Sequence, residues 1–407
     1  MKNKKLVEKT GDPVAQNVAQ VEPAKNKQTK RPWVLWVVLA VGIALLILAA
    51  MRLLSTQPEK PPLGQSELPM LTISEGFVGG MGFEGYMAYD ASELVNNNPW
   101  AEGKHVPTLP VFENLLTYDE MERVQNPDFK RMQELLLEVV GRLGIDTSDA
   151  EITDNTPDNA TQEIIKEKFA AVGESMPEGY LSPDKVVFED NGIEVNVDEQ
   201  MTAVISFDPA VPLVDNIHFN NFATYEQTAA AAQYFKEAYS QLIDMENPQV
   251  NIYGGDYTIY EKQMYHIEFF DGGGDITDQI LNYNFNRVAF YCNDDGKLFL
   301  ARVFKPDLSH KVGQYPIITT EEATRLLENG NYITTIMEQM PGAEYVKKAE
   351  LIYRKGGNER YFMPYYRFYV ELPSMQRDNE LKTYGIFYVP AVEGRYISNM
   401  PLWDGSF

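Results

Sequence analysis

Residue types that commonly carry out chemistry are sparse in this 407-residue chain, and their spacing predicts no catalytic or metal site. The four histidines are His105, His218, His266 and His310, and no two of them lie within one helical turn. A zinc-binding pair on one helix needs that spacing, so the sequence predicts none. Cys292 is the only cysteine, and it stands beside a predicted turn without a histidine near it in sequence. That setting favours a partly buried thiol over a nucleophile.

Three short segments match known functional motifs in form only. Gly80–Gly85 fits G-x-G-x-x-G, but a dinucleotide site also needs a strand before it and a helix after it. Ser182–Lys185 fits S-x-x-K, but its proline and the strand-like run that follows oppose the helix required there. Asp271–Asp275 offers carboxylates to calcium but lacks the rest of a binding loop, which favours a flexible turn. The sequence therefore predicts no cofactor, no metal and no enzymatic activity.

Tyrosine is the residue whose clustering points to a binding surface, with nine tyrosines between positions 345 and 396. In an extended strand Tyr366 and Phe368 share one face, whereas Tyr365 and Tyr369 lie on the other. One face must cover a helix. The other is either an exposed platform for a partner protein or sugar rings, or it packs against a neighbouring part of the fold. The candidate partner-binding face comprises Tyr361, Tyr365, Tyr366, Phe368, Tyr369, Tyr384 and Tyr388.

One apolar run, Trp33–Met51, places the rest of the chain relative to a membrane. It has 19 residues without a charge, and a helix of that length covers the roughly 30 Å hydrocarbon core of a bilayer. Eight basic and three acidic residues precede it, and basic flanks stay in the cytoplasm. A cleaved signal peptide is the alternative, although typical signal peptides have a shorter apolar run. The sequence predicts a single-pass cell-membrane protein with a cytoplasmic N-terminus and an extracellular body.

The predicted extracellular body is strongly acidic and has a single thiol. The chain carries −24 overall, and the eight basic and three acidic residues before the apolar run leave −29 for the remainder. Such a charge opposes binding to nucleic acid and to anionic lipid surfaces. One cysteine allows no internal disulfide, so hydrophobic packing alone must stabilise the body. An exported protein without disulfides is typical of a bacterial cell envelope rather than of animal ectodomains.

A pattern of elements recurs about every 100 residues in the body. Thr117–Glu120, Thr224–Gln227 and Thr319–Glu322 each fit the capping box that begins a helix. Strand-like runs follow each of them, with predicted hairpin turns at Asp190–Gly192 and Asp294–Gly296. The pattern predicts an α+β fold of about three units, each a helix plus an antiparallel meander. One irregular α+β domain is the alternative.

The predicted boundaries follow from these elements, and the first main helix is expected over residues 127–140. The six segments are a cytoplasmic basic tail (1–32), a transmembrane helix (33–54), a linker (55–69), a first α+β unit with N-terminal strands (70–215), a second α+β unit (216–312) and a third (313–407).

Within the third unit, four segments occur in the order of a known module: Tyr315–Leu327, Ala349–Tyr353, Met363–Phe368 and Tyr388–Gly394. That order resembles the PepSY-type module and the ectodomains of YycH/YycI-type accessory proteins of a bacterial cell-wall sensor kinase. Pro390 stands where that family usually has Asp or Asn. The resemblance implies a non-catalytic regulatory ectodomain anchored by one N-terminal span.

Two functions from different classes are compatible with the sequence. The first is a regulatory or scaffold ectodomain that binds another cell-envelope protein. The alternative is an envelope glycan-binding protein or hydrolase that uses acidic and tyrosine side chains. This alternative predicts a concave acidic cleft in which one carboxyl group has a raised pKa. The sequence leaves the oligomeric state and the identity of the partner open.

Overall fold

The computed structural model describes residues 68–74, 83–104, 106–118, 124–148, 151–177, 179–357, 359–377 and 379–403. The predicted tail and transmembrane helix lie outside these ranges, so both remain predictions. Within the described ranges, no helix is long and apolar enough to cross a bilayer. The described residues belong to one compact unit that spans residues 67–407.

The described part of the chain contains six α-helices and sixteen strands, which confirms a mixed α and β fold. The helices are α1 (Phe129–Arg142), α2 (Asn159–Val172), α3 (Tyr225–Ala238), α4 (Ser240–Ile243), α5 (Ile276–Phe285) and α6 (Thr320–Glu328). The strands are β1 (Gly85–Ala88), β2 (Thr108–Glu113), β3 (Thr153–Asp154), β4 (Lys185–Asp190), β5 (Ile193–Asp198), β6 (Thr202–Pro212), β7 (Pro248–Tyr257), β8 (Gln263–Asp271), β9 (Arg287–Cys292), β10 (Lys297–Phe304), β11 (Lys311–Pro316), β12 (Ile333–Thr334), β13 (Val346–Tyr353), β14 (Tyr361–Phe362), β15 (Pro364–Glu371) and β16 (Lys382–Pro390).

The largest sheet has eight strands in the order β3-β4-β5-β6-β10-β9-β8-β7. Helices α1 and α3 cover one of its faces, where Leu136, Phe235 and Phe290 belong to a single buried cluster. Strand β6 pairs with β10, with Ile205 opposite Ala301. The strands of the predicted first and second units therefore join one continuous sheet instead of forming two separate meanders.

A second sheet has five strands, in the order β1-β16-β15-β13 with β12 also paired to β16. Helix α6 covers one face through Ala323 and Leu327, which share a buried cluster with Phe368 and Phe387. Strand β1 pairs with β16, and β2 pairs with β11 and β14 in a small third sheet. The N-terminal strands thus pair with the C-terminal part of the chain, whereas the sequence pattern assigned them to the first unit.

Two of the three predicted capping boxes are confirmed. At the start of α3 the Thr224 hydroxyl accepts a hydrogen bond from Gln227 N (3.2 Å), and the Gln227 side chain accepts one from Thr224 N (2.9 Å). Thr319 and Glu322 make the same reciprocal pair at the start of α6. Each box satisfies two backbone N–H groups that have no partner within the helix.

The predicted first box, Thr117–Glu120, lies partly outside the described residues, which end at 118 and resume at 124. Thr117 N donates to the side chain of Asn126 (2.7 Å). Helix α1 starts after Asp128, whose carboxylate accepts from Arg131 N (3.1 Å). The helix expected over residues 127–140 is otherwise confirmed within two residues at each end.

The predicted hairpin turn between β4 and β5 is also confirmed. Asn191 and Gly192 both have positive φ angles, of 46° and 81°, as a tight two-residue hairpin requires. A Cβ atom on Gly192 would lie 2.0 Å from Asp208 O, so this position needs glycine for space as well as for conformation.

Helices α2 and α5 are absent from the sequence predictions. Helix α2 has no buried residue, although Ile165, Phe169 and Val172 recur at helical spacing in the sequence. Helix α5 begins at Asp275, whose carboxylate accepts from Thr277 N (2.7 Å) and Asp278 N (3.1 Å). The segment Asp271–Asp275, predicted as a turn, connects β8 to this helix, and the sequence did not predict that Asp275 caps the helix.

Candidate functional site

The predicted tyrosine face is not an exposed platform. Tyr365, Tyr366, Phe368, Tyr369 and Tyr384 are buried, and Tyr361 and Tyr388 are partly buried. The exposed alternative is therefore wrong for this set of rings, which pack inside the protein.

Alternate side chains of strand β15 lie on opposite faces of the five-stranded sheet, and each face is covered by a different part of the protein. On one face, the Tyr366 hydroxyl donates to Ile318 O (2.8 Å) at the entry to α6, and Phe368 packs in the same cluster. On the other face, Arg367 and Tyr369 point toward the eight-stranded sheet, where they line a cavity. The face with Arg367 and Tyr369, for which the sequence left exposure or internal packing open, is thus covered by a second sheet.

We call this space the inter-sheet cavity, and its volume is about 440 Å³. Each sheet has one face covered by helices and lined by apolar residues, so the polar residues of its strands alternate onto the opposite face. The two polar faces meet at the cavity. Tyr253, Glu268 and Arg287 come from the eight-stranded sheet, and Arg367, Tyr369 and Tyr388 come from the five-stranded sheet.

Three consecutive asparagines, Asn96–Asn98, tie the two sheets together beside the cavity. Asn97 N donates to the side chain of Asn251 in β7 (2.9 Å). The Asn98 side chain donates to Leu351 O in β13 (3.2 Å). A segment without regular structure therefore connects the two sheets through hydrogen bonds, a role that the sequence did not predict.

Glu350 in β13 is the centre of a buried ion network that includes the cavity residues Asn96, Arg367 and Tyr369. It accepts hydrogen bonds from Arg367 Nε (3.0 Å), from the Tyr369 hydroxyl (3.1 Å) and from the Asn96 side chain, and Lys348 Nζ lies 2.8 Å away. Burial alone would raise the pKa of Glu350. The positive charges of Arg367 and Lys348 outweigh it and lower the pKa to about 2.

Two further arginines in the cavity wall have carboxylate partners. Arg287 Nη1 donates to both carboxylate oxygens of Glu268, at 2.7 and 2.8 Å. Arg354 Nη2 lies 3.2 Å from Glu359 Oε1. Arg287 Nε, by contrast, is buried and has no hydrogen-bond partner among the described residues. A buried donor without a partner costs free energy unless a ligand or water satisfies it.

Lys355 differs from these arginines. Its ammonium donates to Asn284 O (2.6 Å), and no described carboxylate lies within ion-pair distance. The side chain is exposed to solvent and lines the inter-sheet cavity.

These charged residues were not predicted from the sequence, although one signal for them exists. Glu350 and Arg367 each stand among apolar residues, in the segments Ala349–Tyr353 and Pro364–Val370. They lie directly opposite each other in the β13–β15 register. A charge flanked by apolar residues in each of two strands predicts a cross-strand ion pair, since buried charges need partners.

A second cavity of about 430 Å³ shares Arg287 and Lys355 with the first. It contains Glu199, and burial, with the adjacent Asp198 charge, raises the pKa of Glu199. Its other described carboxylates are engaged elsewhere. Asp128 caps α1, and Asp307 pairs with Arg131.

Cys292 lies at the end of β9 and is buried with a free thiol. Burial raises the pKa of this thiol to about 12, so it stays protonated at neutral pH. His266 stacks on Tyr253 with 5.0 Å between ring centroids, and burial lowers the pKa of His266. His105 lies outside the described residues. In the part of the chain that the structure describes, no three His, Cys, Asp or Glu side chains are grouped to hold a metal.

Exposed apolar side chains gather at the tip of the β7–β8 hairpin and beside it. We call this surface the hairpin patch and define it as Tyr89, Phe222, Tyr225, Ile259 and Tyr260, all of which are exposed. Ile259 and Tyr260 expose 71% and 73% of their surface.

Ring contacts anchor the hairpin patch to the two strands of the hairpin. Tyr89 packs edge-on against Tyr257 of β7, with 5.2 Å between centroids. Tyr225 packs in the same way against Tyr265 of β8, at 5.6 Å. Two members of the patch therefore contact the sheet through their rings, and none of its members belongs to the predicted tyrosine face.

Comparison with known proteins does not place the chain in a family. No protein-family model matches it, and no curated protein matches it significantly. The resemblance of the third unit to PepSY-type and YycH/YycI-type ectodomains therefore stays a prediction.

Proposed function

We propose that this chain is a single-pass, membrane-anchored extracytoplasmic protein of a bacterial cell envelope. We further propose that it is a non-catalytic regulatory protein that acts by binding another envelope protein. The apolar run at residues 33–51, the basic tail before it and the acidic body after it support the anchored arrangement. The hairpin patch is the observation that carries the binding proposal.

The hairpin patch has the composition of a protein-binding surface. Three of its five members are tyrosine or phenylalanine rings that ring contacts or a cation hold in place, and Lys262 Nζ lies 4.5 Å above the Phe222 ring. Rigid aromatic side chains contribute contact area at low entropic cost and are enriched among the residues that dominate binding energy.

The acidic residues around the hairpin patch indicate the chemistry of the partner. Asp90, Glu226 and Glu261 are exposed and adjoin patch residues in sequence. A complementary surface has apolar anchors at its centre and lysine or arginine at its rim. The proposed partner is therefore an envelope protein with an apolar surface rimmed by basic residues.

Site-specific crosslinking in living cells tests this proposal. A photoreactive residue at Ile259 or Tyr260 is expected to crosslink the full-length protein to one and the same partner. Val172 in α2 is the matched control position, because it exposes 71% of its surface, as Ile259 does, but lies outside the patch. Equal crosslinking from all three positions would contradict the proposal.

A substitution then measures the contribution of the patch to affinity. Ile259→Asp is expected to weaken binding of the purified partner by at least about tenfold, because the charge must lose its water in an apolar contact. Val172→Asp should leave the affinity unchanged within about twofold, since isolated surface substitutions have small effects. An unchanged affinity for Ile259→Asp would remove the hairpin patch as the binding surface.

The anchored arrangement has its own test. A membrane-impermeant amine reagent applied to intact cells should modify Lys130, whose side chain is 86% exposed. It should leave the tail lysines at positions 4 and 5 unmodified until the membrane is permeabilised. Modification of both groups in intact cells would contradict the predicted topology, and so would modification of neither.

A further inference from the structure

The charges around the inter-sheet cavity leave a positive surplus. Arg287, Arg354 and Arg367 line the cavity, and each pairs with one carboxylate. Lys355 adds a positive charge that no described carboxylate neutralises, and Lys348 shares Glu350 with Arg367. The only described acidic side chain on the cavity surface outside these pairs is the exposed Glu84.

Two donors in the cavity wall are available to a ligand. The Lys355 ammonium has three N–H groups, and its one described hydrogen bond goes to Asn284 O. Arg287 Nε is buried without a described partner, while the same guanidinium holds Glu268 through Nη1. Both residues line the cavity. A carboxylate or phosphate group supplies the charged acceptor that such donors bind most strongly.

Aromatic rings line the same space. Tyr86, Tyr253 and Tyr388 are among its lining residues. Tyr86 stacks on Tyr369 with 5.6 Å between centroids, which holds its ring in position. Fixed rings next to cations favour a ligand that has a flat body as well as a charge.

We propose that the inter-sheet cavity binds a small organic anion, namely a ring-bearing compound whose carboxylate or phosphate group contacts Lys355 and Arg287. Its volume of about 440 Å³ falls within the roughly 300–1,000 Å³ of ligand pockets. The net charge of −24 repels polyanions, whose charges extend over the acidic surface. A small ligand inside the cavity responds mainly to nearby cations, since salt screens exposed charges beyond about 8 Å.

Calorimetry on the full-length protein in a non-ionic detergent tests this proposal, with phenyl phosphate as the probe. The expected result is saturable binding that weakens as sodium chloride is added. Benzyl alcohol has the same ring without the charge and should bind at least about tenfold more weakly. Absence of saturable binding by phenyl phosphate at millimolar concentrations would overturn the proposal, as would equal binding of the two probes.

Variants then assign the site. Lys355→Met is expected to weaken phenyl phosphate binding by at least about tenfold, since it removes a charge-assisted contact. Lys262→Met, beside the hairpin patch, is the matched control and should bind the probe as the unmodified protein does. Equal binding by both variants would place the anion elsewhere and overturn the assignment.

A measurement on the unmodified protein covers the case in which Lys355→Met does not fold. Phenyl phosphate should slow the reaction of Lys355 with an amine reagent, read by peptide mass spectrometry, and benzyl alcohol should not. Lys262 is the internal reference within the same sample. No protection of Lys355 would overturn the proposal. None of these readouts involves a partner protein, so the result is independent of the hairpin patch.

Discussion

Replacing Glu350 by glutamine is expected to lower the free energy of unfolding by about 3–5 kcal/mol, the cost of breaking a buried ion pair from one side. The Glu350 residue is only 2% exposed. Its carboxylate is the acceptor for Arg367, Tyr369 and Asn96, and Lys348 adds a second positive charge. Glutamine keeps the shape but leaves the Arg367 guanidinium buried without its counter-charge. Guanidinium chloride denaturation of the full chain in detergent measures the change.

Glu163→Gln is the matched control for this substitution. Glu163 makes an exposed ion pair with Lys166 on α2 at 2.8 Å, and such pairs contribute about 0–1 kcal/mol. The double variant Glu350→Gln with Arg367→Gln should lose less stability than the sum of the single variants, because it leaves no unpaired charge. A loss below about 1 kcal/mol for Glu350→Gln would contradict the structure of the network.

The same carboxylate makes stability depend on pH in a defined direction. The pKa of Glu350 is about 2 in the folded protein, against an ordinary value of 4.5. The folded state therefore favours the ionised form of Glu350. The stabilisation of the folded state by this ionised carboxylate is fully present above pH 4.5, and it is lost as the pH falls through about 2. The Glu350→Gln variant should show a smaller loss of stability over that interval than the unmodified protein.

Replacing Phe290 by alanine is expected to lower the free energy of unfolding by about 3–5 kcal/mol, the range for a large aromatic residue removed from a core. Phe290 is buried in β9 and stacks on Phe235 of α3, with 4.6 Å between centroids and 6° between planes. It also meets the edge of Phe269 in β8 at 5.8 Å. Alanine would leave a cavity between helix and sheet that well-packed neighbours cannot fill completely.

Phe299→Ala provides the matched control in the neighbouring strand β10. Phe299 is 40% exposed, so its removal should cost less than about 1 kcal/mol. Because β6 and β10 join the predicted first and second units in one sheet, Phe290→Ala should shift a single unfolding transition. Two transitions, with only one of them shifted, would show that the units unfold independently.

Local rules predicted those parts of the fold that depend on neighbours in sequence. The caps at Thr224 and Thr319 are hydrogen bonds between residues three apart, and the Asn191–Gly192 turn depends on two adjacent φ angles. Helix α2 was missed although it has such local signals. Asp158 caps its start by accepting from Thr161 N (2.7 Å), and Gly173 caps its end with a φ angle of 79°.

The candidate sites were less predictable because they depend on residues far apart in sequence. The inter-sheet cavity combines Tyr86, Arg287 and Arg367, and the hairpin patch joins Tyr89 to residues near 222 and 260. The periodicity of one segment cannot predict contacts between residues that are far apart in sequence. Of these contacts, only the ion pair between Glu350 and Arg367 has a recognisable pattern in the sequence.

The sequence by itself determined which residues of β15 share a face, because successive side chains of a strand point to opposite sides. Only the tertiary structure decided what covers each face. Helix α6 covers the face with Tyr366 and Phe368, and the eight-stranded sheet covers the face with Arg367 and Tyr369. The physical reason is that alternation is a property of one strand, whereas burial depends on pairings such as β1 with β16 and β6 with β10. Those pairings join residues up to about 300 positions apart in sequence, and their free energy arises only when the whole core assembles.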